Sequence, residues 1–243
     1  MPPGPELAVV LSAILSAGTL YGFAGFGSAL LFLPIATLFV APPVAVAAFS
    51  IASMGSVATV LPGAWSQADR RATLVMVAAA TLTMPAGIWL LRHLDPVAVR
   101  WAVCGLVGGT LAAMALGLRL AVGAGRAARA AVGGLSGLVG GATGLLGPIV
   151  ILVALSDRSG AAVMRANLAT FLTLLNAALL PQLAVQDALS AGAVGLGLLC
   201  LPLYTMGTLI GRRFFDPARP RVHRALAYGV VGVSVLIGLP LFD

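Results

Sequence analysis

Apolar residues run through this chain in long blocks, and sparse polar interruptions cut them into pieces of membrane-spanning length. Residues 44–65, 72–91 and 97–118 form three such blocks in the first half, and 161–181, 188–211 and 222–242 form three in the second. Each is close to the roughly 20 residues a helix needs to cross a bilayer. Two further apolar stretches, 7–40 and 130–156, are interrupted by glycine clusters. As one helix the first would extend roughly 50 Å, against a hydrocarbon core of about 30 Å. The pattern therefore predicts a hairpin bent at Gly22 to Gly27, with arms of about 15 residues that each rise roughly 22 Å and need not cross fully.

The second interruption, Gly137 to Pro148, reads GLVGGATGLLGP, with five glycines and a proline in twelve residues. Each Gly costs a helix roughly 1 kcal/mol relative to Ala, and Pro about 3. Within hydrocarbon, irregular backbone is tolerated only where protein encloses it or a wet cavity adjoins it, so such a break points to a site. Taken alone, this segment also fits one tilted helix.

An internal repeat favours a second hairpin. A shift of 119 residues places Gly22 on Gly141, Gly25 on Gly144, Ala47 on Ala166, Leu61 on Leu180 and Pro62 on Pro181. At a shift of 121, Arg92 falls on Arg213, Asp95 on Asp216, Pro96 on Pro217 and Arg100 on Arg221. Two homologous halves follow, residues 1–122 and 123–243. A hairpin returns to its own side and three spans then cross, so each half makes an odd number of crossings and the halves must be inverted. The expected fold is an all-α membrane protein of two inverted repeats, each a glycine-broken helical hairpin followed by three transmembrane helices. Repeats of this kind are typical of transporters.

Charge tests that topology. The chain carries 14 Arg and no Lys, against seven acidic residues, for a net charge of +7. Arg92 and Arg100 fall on one face of the expected bundle, and the other twelve, including Arg70, Arg71, Arg126, Arg129, Arg165, Arg212 and Arg213, fall on the opposite face. By the positive-inside rule the richer face is cytoplasmic, which puts both termini outside. The basic balance is thus explained by the lipid bilayer, and no nucleic-acid partner is expected. Composition agrees: 60% of residues are hydrophobic and 9% charged, with a mean hydropathy of +1.07. The amino terminus has an apolar centre but no positive flank, carrying Glu6 instead, and reads as a retained membrane segment. Cys104 and Cys200 lie in apolar runs without CxxC spacing, so neither a disulfide nor a metal site is expected.

Candidate chemistry gathers at the breaks. A helix restarting after a break presents free N–H groups and a positive dipole end, which suits an anion. Gly25, Gly27 and Ser28, with Thr143, Gly144 and Gly147, are positions where backbone can approach a small anion. The competing reading of these glycines is close helix packing. Ser50, Ser53, Ser56 and Thr59 in one half, and Asn167, Thr170, Thr173 and Asn176 in the other, recur every third residue. Such a series winds across half the helix surface, so not all of it faces one cavity. Ser50, Ser53, Asn167 and Thr170 are nearest the breaks in sequence, and a buried amide such as Asn167 or Asn176 wants a partner; hydroxyls also satisfy their own helix. Arg165 sits inside an apolar helix, either gripping an oxyanion through its planar fork or reaching back to headgroups. No HExxH, GxSxG or P-loop is present, so an enzyme is not expected and no cofactor is implied. A non-catalytic subunit of a larger membrane complex remains the third class.

Both glycine hairpins, the GPIVIL sequence from Gly147 and the RANLATF sequence from Arg165 resemble the TauE/SafE sulfite-exporter family over essentially the whole chain. This chain has Ser28 and Ala29 where that family often carries further glycine. The resemblance implies a multi-pass protein of the bacterial inner membrane, with periplasmic termini on the topology above, that exports sulfite, sulfonates or other small sulfur-containing anions. Other small organic anions are the alternative solutes.

Overall fold

The computed structural model describes residues 4–118, 120, 125–154, 156, 160–214 and 229. Among these every regular element is helical. The first broken stretch forms α1 (Gly4–Ala24) and α2 (Ser28–Ala36). The next span comprises α3 (Pro42–Ser53), α4 (Gly55–Thr59) and α5 (Leu61–Trp65), followed by α6 (Arg70–His93) and α7 (Pro96–Ala115). The second broken stretch forms α8 (Arg126–Thr143) and α9 (Pro148–Ala154), followed by α10 (Ala161–Val185) and α11 (Ala191–Arg213). Six segments among the described residues are long and apolar enough to cross a membrane: α1, α3 with α4, α6, α7, α10 and α11. The expected last span, 222–242, lies outside the described residues except for Gly229.

Both glycine stretches break, but the arms are unequal rather than about 15 residues each. α1 has 21 residues and α2 nine; α8 has 18 and α9 seven. At 1.5 Å per residue, α2 and α9 rise only roughly 13 and 10 Å, so each is an arm too short to cross a bilayer core of about 30 Å. The bend comes later than Gly22 because the helix runs through it. The chain turns only where Gly25 (φ 79°) and Gly27 (φ 92°) adopt left-handed backbone, a region that side chains disfavour. Gly144 (φ 76°) does the same at the end of α8.

The expected span 44–65 is also not one helix. Pro62, near the start of α5, has no N–H to offer residue 58, and its ring crowds that carbonyl. Before that, the hydroxyls of Ser53 and Ser56 bond the carbonyls of Ser50 and Ser53, and the Met54 N–H reaches Ile51, three residues back. Hydroxyls that compete for carbonyls in this way loosen a helix.

Glycine seams set how the helices pack. A Cβ on Gly18 or Gly22 of α1 would land on the carbonyl oxygen of Tyr204 or Thr208 of α11; one on Gly137 or Gly141 of α8 would land on that of Ala80 or Met84 of α6. The backbones touch because nothing stands between them. Contacts advance in step along both pairs, so α1 runs parallel to α11 and α8 parallel to α6. The helix α6 is also parallel to α10: the Asp69 N–H, just before α6, meets Asn167 Oδ1 near the start of α10, and Arg92 near the end of α6 reaches the Gln186 carbonyl just past α10. By contrast α1 runs against α10, since Tyr21 pairs with Thr173 while Gly25 lies beside Arg165.

Candidate functional site

Where the two breaks meet, they leave a cavity. Its wall is Gly27, Ser28, Ala29 and Leu30 from the first break, Gly144 to Gly147 from the second, and Tyr21, Phe49, Ile151, Leu172 and Asn176 from the surrounding helices. It is small, about 20 Å³, which holds about one water. No lining residue is ionisable except Tyr21. Gly27 caps α2 in the left-handed region and offers no side-chain cap, so the first-turn N–H groups of Ser28 and Ala29, which have no partner within the helix, point toward this end of the chain's break. On the other side, Gly144 is hemmed by Leu33 and Val46, and Gly147 by Ile151 and Leu172.

Polar side chains around the cavity form short relays. The Tyr204 hydroxyl donates to Ser28 Oγ at 3.3 Å. Tyr21 Oη donates to the Ala169 carbonyl at 3.0 Å and shares a hydrogen bond with Thr173 Oγ1 at 2.8 Å, while Ser56 Oγ reaches the same Thr173 oxygen at 3.3 Å. Asn176 is 8% exposed, and its Nδ2 donates to the Leu172 carbonyl at 2.9 Å while Oδ1 has no partner among the described residues.

Of the residues anticipated from sequence, Gly27, Ser28, Gly144 and Gly147 come together at the cavity. Gly25 and Thr143 adjoin it in sequence: Gly25 packs on Arg165, and the Thr143 hydroxyl donates to Val139 and accepts from the Leu145 N–H. Ser50 and Ser53 are buried in α3 and donate to the carbonyls of Val46 and Ser50. Thr170 is fully buried, and its Oγ1 lacks a partner among the described residues. Arg165 holds the end of α1, donating to the carbonyls of Gly22 and Phe23. Asn167 accepts from Asp69 at the bundle rim. Tyr21, Phe49 and Leu172 line the cavity without having been singled out. For Tyr21 the signal was present, as an aromatic with a polar tip directly before the glycine cluster. Among the described residues, no three His, Cys, Asp or Glu gather in a way that would hold a metal.

A model of one protein family, sulfite exporter TauE/SafE, matches residues 10–238. This chain belongs to the TauE/SafE family. Membership makes it a membrane transporter, and the match takes in both glycine breaks and every span described above apart from the first six residues of α1. No curated protein and no solved structure matches the chain.

Proposed function

We propose that this TauE/SafE protein exports small sulfur-containing anions, such as sulfite or sulfonates, across a bacterial inner membrane. The observation that carries the reading is the cavity shared by both helix breaks, with the α2 amino terminus on its wall and no carboxylate in it. Backbone N–H groups at a helix start bind anions without a compensating cation. Gly27, Ser28, Gly144 and Gly147, with Tyr21 and Asn176, are the proposed contacts. Gly25 and Thr143 shape the breaks, and Ser50, Ser53, Thr170, Arg165 and Asn167 act from outside the cavity by supporting the helices that form it.

We further propose that residues 1–122 and 123–243 are inverted repeats. Helix directions support this. α1 opposes α10, whereas α8 runs with α6 and therefore with α10, so the two hairpins enter from opposite sides. The glycine seams support it too. Gly18 and Gly137, like Gly22 and Gly141, stand 119 apart in sequence and meet backbone carbonyls 124 apart, at Ala80 and Tyr204, and at Met84 and Thr208. Each half thus lends its hairpin to a span of the other. The cavity at that junction, which in this state has room for about one water, widens to admit an anion and opens to alternate sides when one hairpin shifts against its partner span.

The test is flux in proteoliposomes of the purified chain. Sulfite or a small sulfonate should cross faster than in protein-free vesicles and faster than acetate. Faster passage of acetate than of every sulfur anion would reassign the solute class, and no flux of any anion would overturn the reading.

A further inference from the structure

We infer that the arginine-rich end of the α6–α8 seam docks one anionic phospholipid, its phosphate held by Arg71 and Arg126 and an acyl chain laid along the groove below them. Such a site is independent of the solute carried. The register of the seam places the charges. A Cβ on Gly133 would meet Met76 and one on Gly137 would meet Ala80, so each α8 position stands level with the residue 57 places earlier on α6. Carried two turns back from Gly133, the same register sets Arg126 level with Asp69 and Arg129 level with Ala72. The Arg129–Asp69 contact of 3.7 Å agrees. Arg70, Arg71, Arg126 and Arg129 therefore gather around one carboxylate, Asp69, at the starts of two helices whose backbones touch.

Two of the four are already committed. Arg129 faces Asp69, and Arg70 donates from Nε to the Trp65 carbonyl at 3.1 Å, with its guanidinium 5.3 Å from the centre of the Trp65 ring. Arg71 and Arg126 are exposed and pair with nothing among the described residues. Two planar forks at one depth on adjoining helices suit a phosphate, which each can bind bidentately. Below them runs an apolar groove. The Thr83 hydroxyl of α6 donates to the Gly134 carbonyl of α8 at 2.6 Å, which marks one edge of the seam. One turn away along that edge, Ala86 and Ala131 are exposed, and the exposed Leu82 and Leu135 flank it. Small residues between two leucines leave a furrow for a hydrocarbon chain. Arg71, Leu74, Ala78 and Leu82 share the outer face of α6 at spacings of three and four residues, and all four are exposed. Arg71 to Leu82 is roughly 16 Å along the helix, about half of a 30 Å core and so the depth of one leaflet. Trp65, at the same end, is a residue type suited to headgroup level. Charge favours an anionic lipid, because a zwitterionic headgroup brings a cation of its own, which the arginines repel.

The test adds phosphatidylglycerol, phosphatidylcholine with the same acyl chains, or chain-free glycerol phosphate to the purified full chain in neutral detergent, and follows thermal unfolding. Phosphatidylglycerol should raise the melting temperature at concentrations where the other two do not. Arg71→Gln and Arg126→Gln should each weaken its binding about fivefold, the equivalent of about 1 kcal/mol per arginine at an anionic lipid surface. Arg213→Gln removes an exposed arginine from α11, which packs on α1, α3 and α4 rather than on the α6–α8 pair. It should change binding by less than about twofold, since salt screens charges beyond a Debye length of about 10 Å. Equal shifts with the two lipids would leave hydrocarbon contact alone and overturn the inference. A response to glycerol phosphate matching that to phosphatidylglycerol overturns it as well, making this a free-phosphate site. Equal losses in all three arginine variants overturn it too, reducing the patch to diffuse surface attraction.

Discussion

Arg165 on α10 donates from Nη2 to the carbonyl oxygen of Gly22 on α1, 2.5 Å away, and from Nε to that of Phe23 at 3.1 Å. Both carbonyls belong to the last turn of α1, where the helix has stopped and its own N–H groups have run out. The guanidinium therefore caps the first break, placing a positive charge on the negative end of the helix dipole. The planar fork reaches two carbonyls at once, which an ammonium does not reproduce.

Arg165→Lys should accordingly lower stability by about 1.5–3 kcal/mol, the range for a lost hydrogen bond to a charged group. Arg165→Gln should lower it further. Thermal unfolding in detergent and flux at matched folded protein separate the roles. A break-capping arginine loses both together, whereas an arginine that grips solute loses flux with an unchanged melting temperature.

Seam glycines and outward glycines should part company. In Gly22→Ala and Gly137→Ala the new methyl meets the carbonyl oxygens of Thr208 and Ala80, and overpacking of that kind costs about 1–3 kcal/mol. Gly105→Ala, in α7, has nothing within 4 Å of the added Cβ, and should be neutral or stabilising by roughly 0.5–1 kcal/mol. The yield of folded, monodisperse protein for the three variants is the readout. Equal yields would mean that the seams do not hold the hairpins.

The Thr59 and Thr208 hydroxyls lie 2.8 Å apart between α4 and α11. Each also donates to its own helix, Thr59 to Gly55 and Thr208 to Thr205, both of which compete for the same protons. Their coupling in a Thr59→Val, Thr208→Val double-mutant cycle should therefore be near the membrane average of about 0.6 kcal/mol. A value above about 1.7 kcal/mol would show that the pair pins these helices far more firmly than their geometry implies.

Topology is open to labelling. Asp69, beside Arg70 and Arg71, pairs with Arg129 at 3.7 Å and bonds Asn167, so the starts of α6, α8 and α10 share one face. Arg92 joins Gln186 on the opposite face. With a membrane-impermeant maleimide on intact cells, Arg92→Cys should react and Arg126→Cys should react only after permeabilisation. Reaction of both from the same side would refute the assignment of faces.

The two breaks, and most of the spans that the structure describes, were legible in the chain because they are local. A bilayer demands about 20 apolar residues per crossing, and glycine with proline disfavours a continuous helix wherever it falls. The repeat, from Gly22 on Gly141 to Arg100 on Arg221, was equally a property of the string. What the string did not determine was the partner of each small or polar group. Gly22 and Gly25 are three residues apart and look alike, yet one presses on Thr208 while the other turns the chain with a φ of 79°. Arg165 has the same apolar neighbours in sequence whether it meets a solute, a headgroup or the end of α1. Asn176 became the outstanding amide, rather than Asn167, only because folding brought Asp69 to Asn167 and left Oδ1 of Asn176 buried without a partner among the described residues. Hydrogen bonds act over about 3 Å between residues as far as 176 positions apart, as in Tyr204 and Ser28, so their pairing is a property of the packed helices.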